Sequence, residues 1–276
     1  MKNSPQNEAL LVAAGLDGSA AAAAPSGAEP HRPLTRHYAA RSERSGFVRE
    51  LFNGTAADYN RINGVFSLGT GSWYRRGALR RAGLAPGQGL LDVAVGTGLV
   101  AAEAVRVLGD PCAVTGLDLS EGMLAEARRR LGGIRLVQAR AEALPVADRS
   151  VDFVSMGYAL RHVADLGVVF REYHRVLRPG GRVLLLEIGR PEGRLGQAAL
   201  KAYLGRVVPA LCRWTAPRRR AGQLMDYYWD TIEACVPAET ILRHLRLAGF
   251  AGVRCDTALG VFKAYSGRRS THDDAP

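Results

Sequence analysis

In Asp92-Val93-Ala94-Val95-Gly96-Thr97-Gly98, an acidic residue and two glycines surround one sharp bend of a 276-residue chain. Glycine at such a bend lets the backbone approach a ligand with no Cβ in the way. Twenty residues beyond Gly98, Asp118 closes a second apolar run in Gly116-Leu117-Asp118-Leu119-Ser120. A carboxylate at that point offers lone pairs to both hydroxyls of a ribose. The alternative for Asp118 is a helix N-cap, a role that Ser120 already fills. A GxG at a strand–helix turn is weak evidence alone, but joined to Asp118 it points to a cofactor of the nucleoside type. A dinucleotide fingerprint would read GxGxxG, and Leu99-Val100-Ala101 supplies no third glycine, although alanine sometimes serves there. These residues alone leave a nicotinamide cofactor open.

Such a bend needs a strand before it and a helix after it. Gly89–Ala94 reads as a buried strand and Thr97–Leu108 as the helix that follows. Next come strand Ala113–Leu117, helix Glu121–Leu131, strands Ile134–Gln138 and Val151–Ser155, helix Leu166–Leu177 and strand Arg182–Glu187. Strands and helices alternating at this spacing predict a doubly wound α/β fold, a mostly parallel sheet with helices on both faces. Upstream, Val48, Leu51 and Phe52 recur at helical spacing, giving a helix to about Tyr59. Residues 193–249 read as a mostly helical insert, and Ala251–Asp256 with Gly260–Tyr265 as a terminal antiparallel hairpin.

Residues 1–40 differ from this pattern. They include an Ala/Gly/Pro/Ser-rich stretch with the run Ala20–Ala24, read as a mobile tail that could dock on a neighbouring copy in a homo-oligomer. Residues 41–268 form the expected domain, and 269–276 a second short tail. Hydrophobic residues make up 47% of the chain, and no uninterrupted apolar run reaches the roughly 18 residues that span a bilayer. The net charge of +11 is dispersed, with runs only at Arg128–Arg130 and Arg218–Arg220, and no aromatic platform is interleaved with it. A nucleic-acid partner is therefore not expected. Four separated cysteines and no secretory signal fit a reducing cytoplasm. The six histidines show no HxH or HxxxH spacing, so no metal is expected.

Two further elements follow in order: Ala141-Glu142-Ala143-Leu144-Pro145, and Arg175-Val176-Leu177-Arg178-Pro179-Gly180-Gly181-Arg182-Val183. With the glycine turn and Asp118 upstream, they resemble the class I (Rossmann-like) S-adenosylmethionine-dependent methyltransferases. A narrower likeness rests on Val48-Arg49-Glu50-Leu51-Phe52, Ala57-Asp58-Tyr59-Asn60-Arg61-Ile62-Asn63, Ser67-Leu68-Gly69, Arg75-Arg76 and Leu160-Arg161. These resemble the ubiquinone/menaquinone C-methyltransferase (UbiE-like) family over about residues 46–268.

The resemblance implies S-adenosylmethionine as methyl donor, S-adenosylhomocysteine as product, and a carbon acceptor next to a phenolic or quinol oxygen. It places Ala94, Gly96, Thr97 and Gly98 against the amino-acid and ribose parts, and Asp92 at the methionine ammonium. Asp118 would hold the ribose, with Leu119 and Met123 flanking the adenine. Arg140, Ala141 and Gly157 would complete the cofactor's contacts, and Tyr59 would close over it. Arg161 would stabilise a phenolate electrostatically, because arginine stays protonated and is a poor base. A structural pairing of Arg161 with Glu187 is the competing reading. His162 titrates near neutrality and stands beside it as a second catalytic candidate. Tyr158, Arg161, Tyr203, Tyr227 and Tyr228 are the candidates to line the acceptor's pocket, with the insert as its lid. Arg213 and Arg218–Arg220 could grip a phosphate, although such runs are more often solvated turns.

The chain departs from the family pattern at Gly71-Ser72, where a His-Arg pair is usual, at Arg161-His162 for Arg-Asn, and at Arg140 for Asn or Asp. The expected substrate is accordingly an aromatic, quinone-like or prenylated small molecule, in quinone biosynthesis or specialised metabolism. Methylation of oxygen, of nitrogen, or of a prenyl alkene with cyclisation is the alternative, and a cofactor-binding regulatory protein the non-enzyme one.

Overall fold

A computed structural model describes residues 27–38, 40–67, 69–212 and 218–271. The Ala20–Ala24 run, Arg213 and Trp214 lie outside these residues, as do the side chains of Arg218–Arg220.

Seven strands form one sheet in the order β3-β2-β1-β4-β5-β7-β6. They are β1 (Leu90–Val93), β2 (Val114–Asp118), β3 (Arg135–Gln138), β4 (Val151–Gly157), β5 (Leu177–Ile188), β6 (Phe250–Ala258) and β7 (Phe262–Arg269). β1 to β5 pair in parallel, whereas β7 runs antiparallel to both β5 and β6. The winding reverses between β1 and β4, and their register (Val93 opposite Met156) sets their carboxyl tips side by side. Open α/β sheets bind ligands at that crevice.

Apolar helix faces cover both sides of the sheet. α2 (Gly71–Arg81), α3 (Leu99–Leu108) and α4 (Glu121–Arg130) enclose one core with Leu90, Phe153 and Leu184. α5 (Leu166–Val176) and α9 (Ala238–Leu247) enclose the other with Leu91, Val154 and Leu185. Local chemistry fixes where these helices begin and end. Ser120 Oγ accepts from the Met123 amide and Asp165 from the Val168 amide, capping α4 and α5. Gly109, at φ 78°, stops α3. The arginines 128–130 fall in the last turn of α4, where cations oppose the helix dipole.

A third apolar cluster sits above the strand tips. It joins α1 (Arg44–Phe66) to the insert, which comprises α6 (Arg194–Ala202), a π-helical turn at Tyr203–Val207, α7 (Val208–Cys212) and α8 (Arg218–Ala234). Ile62, Leu224, Tyr227 and Ile232 are its buried centre.

Four features differ from the sequence expectation. α1 continues past Tyr59 to Phe66, because its buried face extends through Ile62. α2 was not anticipated. β5 starts at Leu177, since the Arg178–Gly181 turn is accommodated as an irregularity in the β4–β5 register. Residues 27–38, read with the tail, pack on the core: the Leu166 and Val236 amides donate to the carbonyls of Ala28 and Pro30, each at 2.8 Å. No helix of the described residues is long and apolar enough to cross a membrane.

Candidate active site

β1 hands over to α3 through a tight turn. Ala94 has φ 55°, the Val95 amide donates to Leu117 O at 2.8 Å, and the Gly98 amide donates to Val95 O at 2.9 Å. The two glycines do different work. At Gly96 (φ 56°) a Cβ would meet nothing within 4 Å, so the backbone faces open space. At Gly98 (φ 81°) a Cβ would fall 2.5 Å from Leu131 Cδ1, so this glycine permits close packing of α3 on α4.

Asp118 stands at the tip of the neighbouring strand. The Gly96 amide donates to its Oδ2 and the Ser120 amide to its Oδ1, both at 2.8 Å. The carboxylate lines the cleft and keeps lone-pair capacity for a ligand hydroxyl. Burial pushes this carboxyl up to about 6 in spite of the amides. Asp92, one strand over, is buried: its Oδ1 accepts from Ser155 Oγ at 2.6 Å, and its Oδ2 has no hydrogen-bond partner. Burial pushes it up to about 7.

α1 roofs the turn. Thr97 Oγ1 donates to Asn60 Oδ1 at 2.6 Å, while Asn53 Oδ1 accepts from Ser120 Oγ at 2.6 Å and the Gly122 amide at 3.0 Å. Beneath this roof lies a cleft enclosing about 1080 Å³ between protein atoms, its open mouth included.

Ala94, Gly96, Thr97, Asp118, Leu119, Met123, Arg140, Ala141, Gly157, Tyr59, Tyr158 and His162 all line this cleft. Asp92 lies behind its wall and Gly98 beneath it. Tyr227 is buried behind His162, 3.1 Å from Oη to Nδ1, with the rings stacked at 5.2 Å. Tyr228 donates from its hydroxyl to Tyr59 Oη at 3.0 Å. Tyr203 packs in the third cluster away from the cleft.

Arg161 is also away from the cleft, fully buried. Its Nη1 donates to Glu187 Oε2 at 2.5 Å and its Nε to Thr231 Oγ1 at 3.1 Å, with Tyr228's ring 4.8 Å from Cζ. Burial works against this charge, and Glu187 more than offsets it, so the guanidinium stays protonated. On His162, burial and then the Arg161 charge depress the pKa well below the usual histidine value. The imidazole is neutral at neutral pH, and its Nε2 has no hydrogen-bond partner.

Asn53, Asn60, Asn63 and Arg75 were not singled out individually from sequence. The first two tether α1 to the loops, and the last two line the cleft. The family likeness quoted Asn60, Asn63 and Arg75 but not Asn53, and no local signal separates a cleft-facing asparagine from a solvated one.

The open cradle at Gly96, the spare lone pairs of Asp118 and the unpartnered Asp92 Oδ2 suit a nucleoside carrying a cationic amino-acid tail. Fold and site together define the class: an S-adenosylmethionine-dependent methyltransferase. The model of the ubiE/COQ5 methyltransferase family matches residues 38–267, and the chain belongs to that family. A protein named ubiquinone/menaquinone biosynthesis C-methyltransferase UbiE, from Edwardsiella ictaluri, is 31% identical over 238 residues, 83% of this chain and 94% of that protein. Its namesake from Klebsiella pneumoniae is 32% identical over 220 residues, 78% of this chain and 86% of that protein. Among solved structures, a possible histamine N-methyltransferase from Thermotoga maritima shares the fold with a TM-score of 0.57 and 20% identity, over 80% of this chain and 99% of that one.

Proposed function

We propose that the protein methylates a ring carbon next to the hydroxyl of an aromatic, quinone-like or prenylated small molecule, and that quinone biosynthesis is its setting. The relatives named above are C-methyltransferases of that pathway, which favours carbon over oxygen or nitrogen as the acceptor. The observation carrying this reading is His162, a neutral, buried imidazole with an unpartnered Nε2, which lines the cleft together with the rings of Phe52, Tyr59 and Tyr158.

Bound S-adenosylmethionine supplies a methyl group on a positively charged sulfur, for transfer by in-line displacement. Gly96 and Thr97 give the cofactor its backbone cradle, Asp118 accepts the ribose hydroxyls, and Ala141 and Arg140 flank the adenine with Leu119 and Met123. Asp92 faces the cationic amino-acid end from behind the turn. A phenolic carbon becomes a nucleophile when its neighbouring hydroxyl gives up a proton. His162 Nε2 would accept that proton, with Nδ1–H directed to the Tyr227 hydroxyl in the matching tautomer. Once the carbon takes the methyl and the donor leaves as the neutral thioether, the ring C–H proton would pass to solvent and His162 would return its proton to the ring oxygen. Arg161 acts from behind the wall: its charge adds to burial in keeping His162 neutral before the reaction, and its bond to Glu187 holds the strand-to-helix turn carrying His162. Phe52 and Tyr59 press the acceptor ring against the donor.

Incubation with methyl-labelled S-adenosylmethionine and a naphthoquinol bearing an open ring carbon tests the reading. A label on the ring carbon supports it. A label on oxygen, on nitrogen or on a prenyl chain contradicts the ring-carbon assignment.

A further inference from the structure

Among the described residues three arginines line the cleft, and they differ in what neutralises them. Arg44 lies 3.5 Å from Glu29 and donates to the carbonyls of His31 and Val163. Arg140 lies 3.6 Å from Glu142. Arg75, on α2, is only 5% exposed, yet no carboxylate of the described residues forms an ion pair with it. Its Nη2 donates to Asn63 Oδ1 at 3.3 Å, its Cζ stands 5.5 Å from the Tyr158 ring centroid, and its buried Nε has no partner. Room for this guanidinium comes from Gly71, where a Cβ would fall 2.6 Å from Arg75 Nη1. A buried guanidinium with an unused donor and no carboxylate in contact, its nearest opposite charge being the buried Asp92, is costly unless something that binds brings an anion to it.

The position of the charge decides which anion. Asp118 marks the ribose at the tip of β2, and Arg140 and Ala141 mark the adenine beyond β3. A ligand lying over the strand tips therefore runs from β3 across the Gly96 turn toward the tip of β4, where Tyr158 and Arg75 stand. Its far end in S-adenosylmethionine is the α-carboxylate. We propose that Arg75, positioned by Asn63 and the space left at Gly71, is the carboxylate anchor of the methyl donor. Guanidinium suits this task because its planar donors match a carboxylate two at a time. Placing a cation here and Asp92 beneath the turn gives opposite charges to the two poles of an amino acid. The inference rests on the methyl-donor reading of the cleft and adds to it the group that discriminates donor from nucleoside.

Calorimetric affinities for S-adenosylmethionine and for its decarboxylated analogue, which keeps the sulfonium and the amine, test this. Arg75→Met should weaken S-adenosylmethionine about 30-fold. The same variant should change the decarboxylated analogue by no more than about twofold. Arg75→Lys should fall between wild type and Arg75→Met for the intact cofactor alone, and it carries the test if Arg75→Met does not fold. Equal loss of both ligands would make Arg75 architectural and overturn the proposal. Unchanged affinity for both, with a raised KM for the acceptor, would assign the guanidinium to the acceptor and also overturn it. A wild-type protein that binds neither ligand removes the methyl-donor reading itself, and the anchor with it.

Discussion

The Gly96 amide donates to Asp118 Oδ2 at 2.8 Å, so the bend after β1 and the carboxylate ending β2 form one hydrogen-bonded unit. Asp118 also lines the cleft, so its carboxylate can still accept from a ligand hydroxyl. Asp118→Ala should lower S-adenosylhomocysteine affinity by about 30- to 100-fold, the worth of one or two hydrogen bonds to a charged group. Titration calorimetry reads this directly, and unchanged affinity would remove the ribose assignment.

Asp92 and Asp118 together predict a pH dependence. Burial raises their carboxyl groups to about 7 and about 6. The unfolded chain ionises both near pH 4, so the folded protein loses stability as pH rises from there to about 7, where both carry charge. A cationic ligand favours the charged carboxylates. Cofactor binding should therefore tighten between about pH 5 and 8 and release protons. Calorimetry in buffers of different ionisation enthalpy measures that release, and proton uptake would contradict the sign.

Arg161 and Glu187 are a buried pair, and removing one partner strands the other. Glu187→Gln or Arg161→Met should cost about 3–5 kcal/mol, seen as a lower denaturation midpoint. The double variant Arg161→Met, Glu187→Leu should regain most of that stability while methyl transfer stays impaired and cofactor affinity is kept. Full activity in the double variant would reduce Arg161 to architecture.

His162→Asn should lower kcat about 100-fold, with little change in cofactor affinity. Because the wild-type imidazole titrates well below the usual histidine range, the wild-type rate should be flat around neutrality and fall only on the acid side. That acid limb should vanish in the variant. An unaltered kcat and profile would leave the proton transfer without its base.

The glycine-turn side of the cleft was legible because its parts are local. A glycine turn, a strand-tip acid and an N-capping serine are read from neighbouring residues, and Ser120 caps α4 as its position predicts. The side around His162 depends on distant partners. Arg161 meets Glu187 and Thr231, 26 and 70 positions away, and nothing in Tyr158-Ala159-Leu160-Arg161-His162 says that it turns from the cleft. α2 escaped notice because arginines and glycines interrupt its apolar stripe, and Arg75 is buried there beside Gly71, which leaves room for its guanidinium, and Asn63, which accepts from it. Tyr227 and Tyr228 show the same limit: their helix is evident, but its facing to His162 and Tyr59 is set by packing on α1.

Calorimetric titration of the wild-type protein with S-adenosylhomocysteine, repeated in excess NADPH, addresses the cofactor pocket itself. Saturable binding of one molecule per chain, untouched by NADPH, is the predicted result. Absence of saturable binding, or displacement by NADPH, would mean that the cradle at Gly96 and the carboxylate of Asp118 serve something other than a methyl donor.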